Sequence, residues 1–471
     1  MQAAQLLAQI LARPDDRAVR LVYADLLGEA GDPRGAFIAQ QCALDELDPL
    51  DERYAATLAA TQRLEAAHAR TWLDGAASVG ARFAGGMLQR IAMPPRDLAT
   101  AWPQLRTREP IDGVELLVDE GIDEDDRDLI APAELRDLKV TTTGWFTGIS
   151  VAHVLAWGMP SLRALDLSGC DLGLTGAQLL ANQATSLGVH DNDYRKPPPF
   201  ESGALEELVL AACQLGDAGA QLVINAEHLD RLRVLDLSRC KLSSDATLRA
   251  LCASPAMQQL RRLGLAGNLG LGDKLGLLAG WPALPQLEAL SVPQSTSAEM
   301  LGHLFPRPST ALRTLALTGA KDLARWPGLE RLSDAFVELD LGTTSLGDAR
   351  WAALLASTSA RTLVHLHANG CSLSDAAIDR LVASPIDRLV TLDLSSNKLT
   401  DRALAALAAW PGLEHVTHLR LYNNRKLTPA GLAHLAAAPQ LQPVALELSK
   451  LDDPATRAQL DERFGDALIV R

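Results

Sequence analysis

The chain has 471 residues, of which 87 are leucine and only 4% are aromatic, and its formal net charge is −14. Length alone would predict about three domains. Aromatic side chains normally supply much of core burial, so many leucines with few aromatics favour a regular architecture over an ordinary enzyme-sized globule. The acidic balance argues against nucleic acid or an anionic membrane as partner, since both carry negative charge.

The sequence shows no feature of export, membrane insertion or cofactor binding. The opening stretch MQAAQLLAQILARPDD has no basic residue before its apolar part, unlike a secretory signal. No apolar run reaches the length of about 18 residues that a transmembrane helix needs. The six cysteines include no CxxC pair, which argues against zinc, redox chemistry or a disulfide framework. We therefore expect a cytoplasmic protein without a cofactor.

Residues 1–95 are predicted to form a small helical domain. Four helical patterns follow one another: AAQLLAQILARP, DRAVRLVYADLLGEAG, PRGAFIAQQCALDEL and a longer one over 51–73. The second pattern predicts a buried helix face of five apolar residues, Val19, Val22, Tyr23, Leu26 and Leu27. We expect Asp25 and Arg34 to pair across the junction between the second and third helices.

From about residue 96 to 450 the frame L-x-x-L-x-L returns, as in LRVLDLSRCKL from Leu232 and LVTLDLSSNKL from Leu389. Its middle apolar residue recurs thirteen times from Val114 to Val444, in steps of 24 to 28 residues apart from one of 43. This frame and period are typical of leucine-rich repeats. Each unit predicts a half-buried strand, a turn and a helix. Stacked units predict an α/β solenoid, a horseshoe with parallel strands on the concave face and helices on the convex face.

The ninth position of the frame is cysteine or asparagine in most repeats, with Ser295, Ala320 and Thr344 in the others. We expect these side chains to bond turn backbone inside the stack, so that four of the six cysteines are structural. The residues concerned are Cys170, Cys213, Cys240, Asn268, Cys371, Asn397 and Asn424. Ser374, Thr400 and Thr428 are predicted helix N-caps.

The stretch RLVYADLLGEAGDPRGAFIAQ, residues 20–40, resembles the short repeat-companion domain that precedes leucine-rich repeats in bacterial proteins. The pattern RLVYAD-x-L-x-E-x-GDPRG-x-FI matches nearly throughout, with Leu26 where that family usually has Trp. The repeats resemble the ribonuclease-inhibitor class in period and in their Cys/Asn alternation. The resemblance implies an interaction module without known catalytic residues. Since a terminal repeat must cover the last leucine layer, we expect a helical cap (1–95), about 13 repeats (96–450) and a C-terminal cap (451–471).

The step of 43 residues carries an insertion over 186–203, SLGVHDNDYRKPPPFESG, which is predicted to be an exposed loop. If Arg195 or Lys196 entered a partner's active site, the protein would regulate or inhibit an enzyme or nucleotide switch. The acidic run DEGIDEDDRD from Asp119 is predicted to be a solvated connection.

Stacked strands place equivalent residues in ladders about 4.8 Å apart. One ladder is formed by the residue between the last two leucines of each frame. It has five carboxylates and two fixed positive charges, which favours a basic protein partner. Four repeats, starting at Phe336, Leu363, Leu389 and Val416, bring several ladders into what we call the repeat patch. It consists of Glu338, Asp340, His365, His367, Asn369, Asp393, His418, Arg420 and Tyr422.

The repeat patch and Asp236 are the predicted partner-binding residues. Two other kinds of site are considered. A metal site would hold His367 between Asp340 and Asp393, but no HExxH-type spacing supports it. General-base catalysis would need a nucleophile and a pocket, which an open surface does not supply. We therefore predict a non-enzymatic protein-interaction scaffold.

Overall fold

The computed structural model describes residues 2–73, 81–118, 135–142, 154–155, 158–184, 200, 204–326, 328–329, 333, 336–449 and 453–471. The acidic run from Asp119 and the insertion at 186–203, apart from Phe200, lie outside the described residues. The chain divides into two compact units. The first comprises Met1–Cys42 and Arg70–Pro293, and the second comprises Ala43–Ala69 and Gln294–Arg471.

The four helical patterns at the N-terminus form α1 (Gln2–Ala12), α2 (Arg17–Glu29), α3 (Pro33–Leu44) and α4 (Glu52–Trp72). The buried face of α2 differs from the prediction, because Val22 is 50% exposed while Ala24 is buried. Small residues explain the shift: a Cβ on Gly35 of α3 would lie 2.4 Å from the Ala24 carbonyl oxygen. The two helices thus approach too closely for a larger side chain at Gly35.

The expected pair of Asp25 and Arg34 does not form. Arg34 instead lies 2.7 Å from the carboxylate of Glu109, and its Nη2 also donates to the carbonyl of Gly86. Burial raises the pKa of Glu109, although Arg34 opposes that shift. The GDPRG segment therefore connects the N-terminal helices to the first strands rather than closing its own helix junction.

The first unit contains parallel strands joined by helices, after one antiparallel pair, β1 with β2. Its strands are β1 (Arg82–Ala84), β2 (Met87–Met93), β3 (Gly113–Val118), β4 (Asp137–Thr142), β5 (Ala164–Asp166), β6 (Glu207–Val209), β7 (Val234–Asp236), β8 (Arg262–Gly264) and β9 (Ala289–Ser291). Its further α-helices are α5 (Pro95–Leu105), α6 (Gly173–Leu180), α7 (Gly216–Ile224) and α8 (Asp245–Ala253). From β2 to β9 each described strand pairs with the next one along the chain.

The second unit repeats this order without an antiparallel pair among its described strands. The strands are β10 (Thr314–Ala316), β11 (Glu338–Asp340), β12 (His365–His367), β13 (Thr391–Asp393), β14 (His418–Arg420), β15 (Ala445–Leu448) and β16 (Leu468–Val470). The helices are α9 (Ala298–Leu304), α10 (Gly347–Leu355), α11 (Asp375–Val382), α12 (Asp401–Ala408), α13 (Pro429–Ala437) and α14 (Pro454–Phe464). Adjacent strands pair in parallel, so the leucines that centre them, such as Leu366 and Leu392, stack fully buried.

Short 3-10 helices replace or extend the α-helices of several repeats. They are Glu227–Leu229, Pro255–Gln259, Leu269–Gly280, Leu284–Gln286, Leu323–Arg325, Ser359–Thr362, Pro411–Glu414 and Gly465–Ala467. Parallel strands and helices alternating in sequence order make an α/β solenoid fold. None of the described helices combines the length and the apolar character that spanning a membrane requires.

The strand frame is confirmed except in the last repeat. Leu419 pairs with Leu446 and Arg420 with Glu447, so the central residue of β15 is Leu446 rather than Val444. Leu446 is fully buried, whereas Val444 is only half-buried. The step from Leu419 leads to Leu446 and is therefore two residues longer than the predicted step to Val444. This longer step keeps a leucine in the stacked layer.

The ninth-position side chains bond turn backbone as predicted. Asn397 donates through Nδ2 to the Ala368 carbonyl (2.8 Å) and accepts at Oδ1 from the Leu373 amide (3.0 Å). The Cys371 thiol donates to the Leu341 carbonyl of the preceding repeat, at 2.9 Å. Burial raises the pKa of Cys371 to about 11, so its thiol is protonated and unreactive at neutral pH.

Neighbouring helices are linked at their N-termini. Ser374 caps α11 by accepting from the Ala376 amide, and its hydroxyl donates to Asp348 of the preceding helix, α10. Thr400 caps α12 in the same way and donates to Asp375. Thr428 makes no cap bond to its own helix but donates to Asp401. In these three repeats one carboxylate thus joins a helix to the start of the next.

Candidate partner-binding surface

The repeat patch is assembled by four strands in parallel register. Glu338 stands beside His365, then Thr391, then His418, and in the adjacent row Asp340, His367, Asp393 and Arg420 follow one another. Asn369 and Tyr422 occupy turns just after β12 and β14. Asp236 belongs to the first unit, where it ends β7 and its carboxylate lies against Gly264 of β8.

Three histidines lie close together in the repeat patch. The Nδ1 atom of His365 shares a hydrogen bond of 2.9 Å with the hydroxyl of Thr391. Burial, with smaller effects from His367 and His418, lowers the pKa of His365 to about 4. Burial also lowers the pKa of His418, and Arg420 acts in the same direction. His365 is therefore neutral at physiological pH and acts as a hydrogen-bonding group rather than as a charge.

The aspartates of the ladder stabilise turns. Asp340 accepts from the amide of Gly342 (2.7 Å) and from the hydroxyl of Thr318 (2.8 Å). Asp393 is 5% exposed and accepts from the amide of Ser395, two residues on. Asp236 does the same with the amide of Ser238. Part of the acidic ladder therefore closes the turn after each strand, which leaves Glu338, 40% exposed in its side chain, as a more accessible carboxylate.

Sequence reasoning missed Glu447, which the corrected register places beside Arg420. The Nε atom of Arg420 lies 2.6 Å from Oε1 of Glu447, and the Nε atom of Arg471 lies 2.8 Å from Oε2. The guanidinium of Arg471 also sits over the ring of Tyr422, 5.3 Å from its centroid. Arg420 and Tyr422, two of the predicted partner-binding residues, are thus held by contacts within the chain. The regular 27-residue step could have revealed Glu447.

The α4 helix was also missed as a neighbour of the patch. Its Ala55 and Ala59 are buried in one cluster with Val364 and Val390, with Val337 packed against them. These valines hold the second position of the frame, directly before the strands. Elsewhere that position is mostly charged, as in Arg163, Glu206, Arg233, Arg261, Glu288 and Arg313. In three consecutive repeats this usually charged position is valine, and that change indicated that another part of the chain covers this edge of the strands.

The described part of the chain contains no group of three or more His, Cys, Asp or Glu side chains arranged to hold a metal ion. His367 approaches Glu338, with Nε2 and Oε1 3.9 Å apart. Asp340 and Asp393, the ligands considered for a metal, both accept hydrogen bonds from backbone amides. The geometry gives the metal hypothesis no support.

Comparison with known proteins agrees with the repeat geometry. A family model described as Leucine Rich repeat matches residues 158–181 and 389–408. The chain is built of leucine-rich repeats. Among solved structures, a chain of the yeast Rad7 and Elc1 complex is similar, with a TM-score of 0.55 and 16% identity. The match covers 89% of this chain and 94% of that one, and at this identity it shows the leucine-rich-repeat fold alone. No curated protein matches the sequence.

Proposed function

We propose that the protein is a non-enzymatic scaffold that binds a protein partner through the repeat patch, with Asp236 as a further contact. The observation that carries the proposal is the register of β11–β14, which aligns polar side chains across four consecutive strands. Parallel ladders of this kind give a partner a wide surface rather than a pocket. A similar fold crystallised in the Rad7 and Elc1 complex is consistent with such a role.

The charges of the surface favour a basic partner. Glu447 is already neutralised by Arg420 and Arg471, whereas Glu338 lies 3.9 Å from the imidazole of His367 and is more exposed. Asp340 adds a second carboxylate on the same strand. A partner's lysine or arginine would therefore gain most near Glu338, and the attraction would weaken as salt rises.

Charge reversal at Glu338 tests the proposal. Affinity capture from a lysate of the source organism would compare wild type, Glu338→Lys and the control Glu299→Lys, which reverses an exposed charge on α9 of the same unit. We expect wild type and the control to recover a partner that Glu338→Lys loses. Identical recovery by all three proteins would contradict binding at the patch.

The finer architecture is part of the proposal. We propose that the repeats curve into a horseshoe with strands on the concave face, because a layer of helices is wider than a layer of strands. Residues 1–95, of the repeat-companion type, and residues 451–471 would serve as caps. Two contacts support this: Arg34 bonds Glu109, and β16 pairs with β15. Regulation through the 186–203 loop, like a cytoplasmic location, stays a prediction.

A further inference from the structure

The segment 43–69 belongs to the second unit, although the residues before and after it belong to the first. Within it, α4 crosses the starts of successive strands of the repeats. Two rows of side chains four residues apart make the contact: Tyr54, Leu58 and Gln62 in one row, and Ala55, Ala59 and Arg63 in the other. Four residues of helix rise about 6 Å, and parallel strands lie about 4.8 Å apart, so successive helical turns meet successive repeats.

We call the surface of the repeats that contacts α4 its seat. The seat combines a small apolar contact with hydrogen bonds from Arg63 to backbone carbonyls. Val364 and Val390 are fully buried beneath Ala55 and Ala59, whose small side chains allow close approach. Beyond them, Arg63 donates to the carbonyls of Gln442 (3.0 Å) and Glu414 (2.5 Å). The seat therefore fits a helix that has small residues at positions i and i+4 and a basic residue at i+8.

The loop before α4 is fixed at the same edge. Arg388, immediately before the frame leucine Leu389, donates to the carbonyls of Pro49 (3.0 Å) and Leu50 (3.1 Å). The Thr417 hydroxyl, which follows Val390 in the second-position row, donates to the side-chain oxygen of Gln62 at 2.5 Å. These polar contacts lie at exposed or partly exposed positions, where hydrogen bonds exchange with water more readily than in a core.

The part of α4 up to Ala69 is suited to detach without unfolding, whereas Trp72 at its end stays packed on Phe37, with 4.7 Å between the ring centroids. Seven of the 21 residues of α4 are alanine, the strongest helix former, and glutamate, glutamine and arginine supply others. Its apolar seat is small, since two of the buried contact residues are alanines. By contrast, the leucines between repeats are fully buried in stacked layers. Detachment of α4 would expose Val337, Val364 and Val390 next to the repeat patch.

We propose that α4 is an internal ligand: it occupies a helix-binding surface on the starts of β11–β14, and a partner helix of the same pattern displaces it. This inference rests on the proposed function, because it assumes that the ligand of the repeats is a protein. The partner's contact segment would be an amphipathic helix of the form Ala-x-x-x-Ala-x-x-x-Arg. While α4 is seated, this part of the surface is closed to that partner.

The test uses a fluorescent peptide of residues 50–69 as the probe, added to the full-length protein. In the variant Ala55→Glu plus Ala59→Glu the internal helix cannot seat, although its helix propensity is retained. We expect this variant to bind the peptide at least ten-fold more tightly than wild type by fluorescence anisotropy. The control Ala56→Glu plus Ala66→Glu changes two exposed alanines of the same helix and should behave like wild type. Adding Val364→Glu to the first variant should abolish peptide binding.

Equal peptide binding by wild type and the first variant, or no binding by that variant, would overturn the proposal. A wild-type dimer that the first variant abolishes would also overturn it, since α4 would then seat on a second copy. Hydrogen exchange of wild type provides a measurement that needs no variant. Amides of 53–69 should exchange at least a hundred-fold faster than those of β12 and β13, and equal protection would contradict an opening of α4. None of these failures would affect the Glu338→Lys test of the scaffold.

Discussion

Arg420 and Glu447 form an ion pair across two neighbouring strands, with 2.6 Å between Nε and Oε1. Glu447 is 4% exposed and also meets Arg471, so one nearly buried carboxylate balances two guanidinium groups. Arg420 lies on β14, the last of the four strands of the repeat patch, whereas Arg471 is the last residue of the given sequence. Through Glu447 on β15, Arg471 is thus connected to the surface proposed to bind a partner, and the ion pair orients Arg420 before any partner arrives.

Removing the charge of Glu447 should destabilise the second unit. In Glu447→Gln, two guanidinium groups lose their shared counter-charge, and we expect a loss of about 1–2 kcal/mol because both arginines are partly exposed and screened. Urea denaturation monitored by circular dichroism measures the change. The matched control is Glu462→Gln on α14, an exposed position. Equal stability of the two variants would show that the network contributes little.

Asn397 should tolerate cysteine better than alanine. Alanine would leave the Ala368 carbonyl and the Leu373 amide without their side-chain partner inside the stack, at a cost of about 2–3 kcal/mol. Cysteine would retain a donor to the preceding repeat, as Cys371 does with Leu341, and should cost about half as much. Thermal unfolding of both variants gives the order, and a cysteine variant no more stable than the alanine variant would contradict the shared role of the two residue types.

Stability should fall in mild acid because of His365. Its pKa is about 4 in the folded protein, below the ordinary value of 6.5, so the unfolded chain binds a proton that the folded chain resists. The stabilisation is complete above pH 6.5 and is lost as the pH falls towards 4, and the loss at pH 5 should be about 2 kcal/mol. His365→Gln keeps a group that can bond Thr391 but does not titrate. Urea denaturation at pH 7.5 and 5 should show a smaller difference for this variant than for wild type. His303→Gln, at an exposed histidine of α9, should leave the difference unchanged.

The pair of Arg34 and Glu109 should behave as a coupled unit. Arg34→Met leaves the carboxylate of Glu109 nearly buried without its cation, and we expect a loss of about 3 kcal/mol. Arg34→Met plus Glu109→Gln removes both charges and should cost less than the sum of the two single changes. A double-mutant cycle by urea denaturation measures the coupling energy. Strictly additive effects would mean that the close approach at 2.7 Å has no energetic consequence.

The repeats were predictable because the residue pattern within each repeat is enough to specify its strand and its turn. The alternation around Leu366 or Leu392 specifies a half-buried strand, and the Asn or Cys at the ninth position specifies the turn. The Val444 assignment failed because Leu441, Val444 and Leu446 fit one frame, whereas Leu446 and Leu448 fit a second frame two residues later. Only the position of neighbouring Leu419 selects Leu446, and that choice brings Glu447 beside Arg420. A local pattern cannot distinguish two frames that both alternate correctly.

The repeat, the alternation of strand and helix and the ladders of the repeat patch follow from the amino-acid pattern, because they depend on contacts between equivalent positions one period apart. What covers the edge of that patch does not follow from the pattern and is seen only in the folded chain. Ala59 and Val364 are separated by some three hundred residues and follow no common period, so their contact depends on the path of the chain. Arg34 likewise pairs with Glu109 rather than with nearby Asp25, since close packing of α2 against α3 and burial of Glu109 decide the partner.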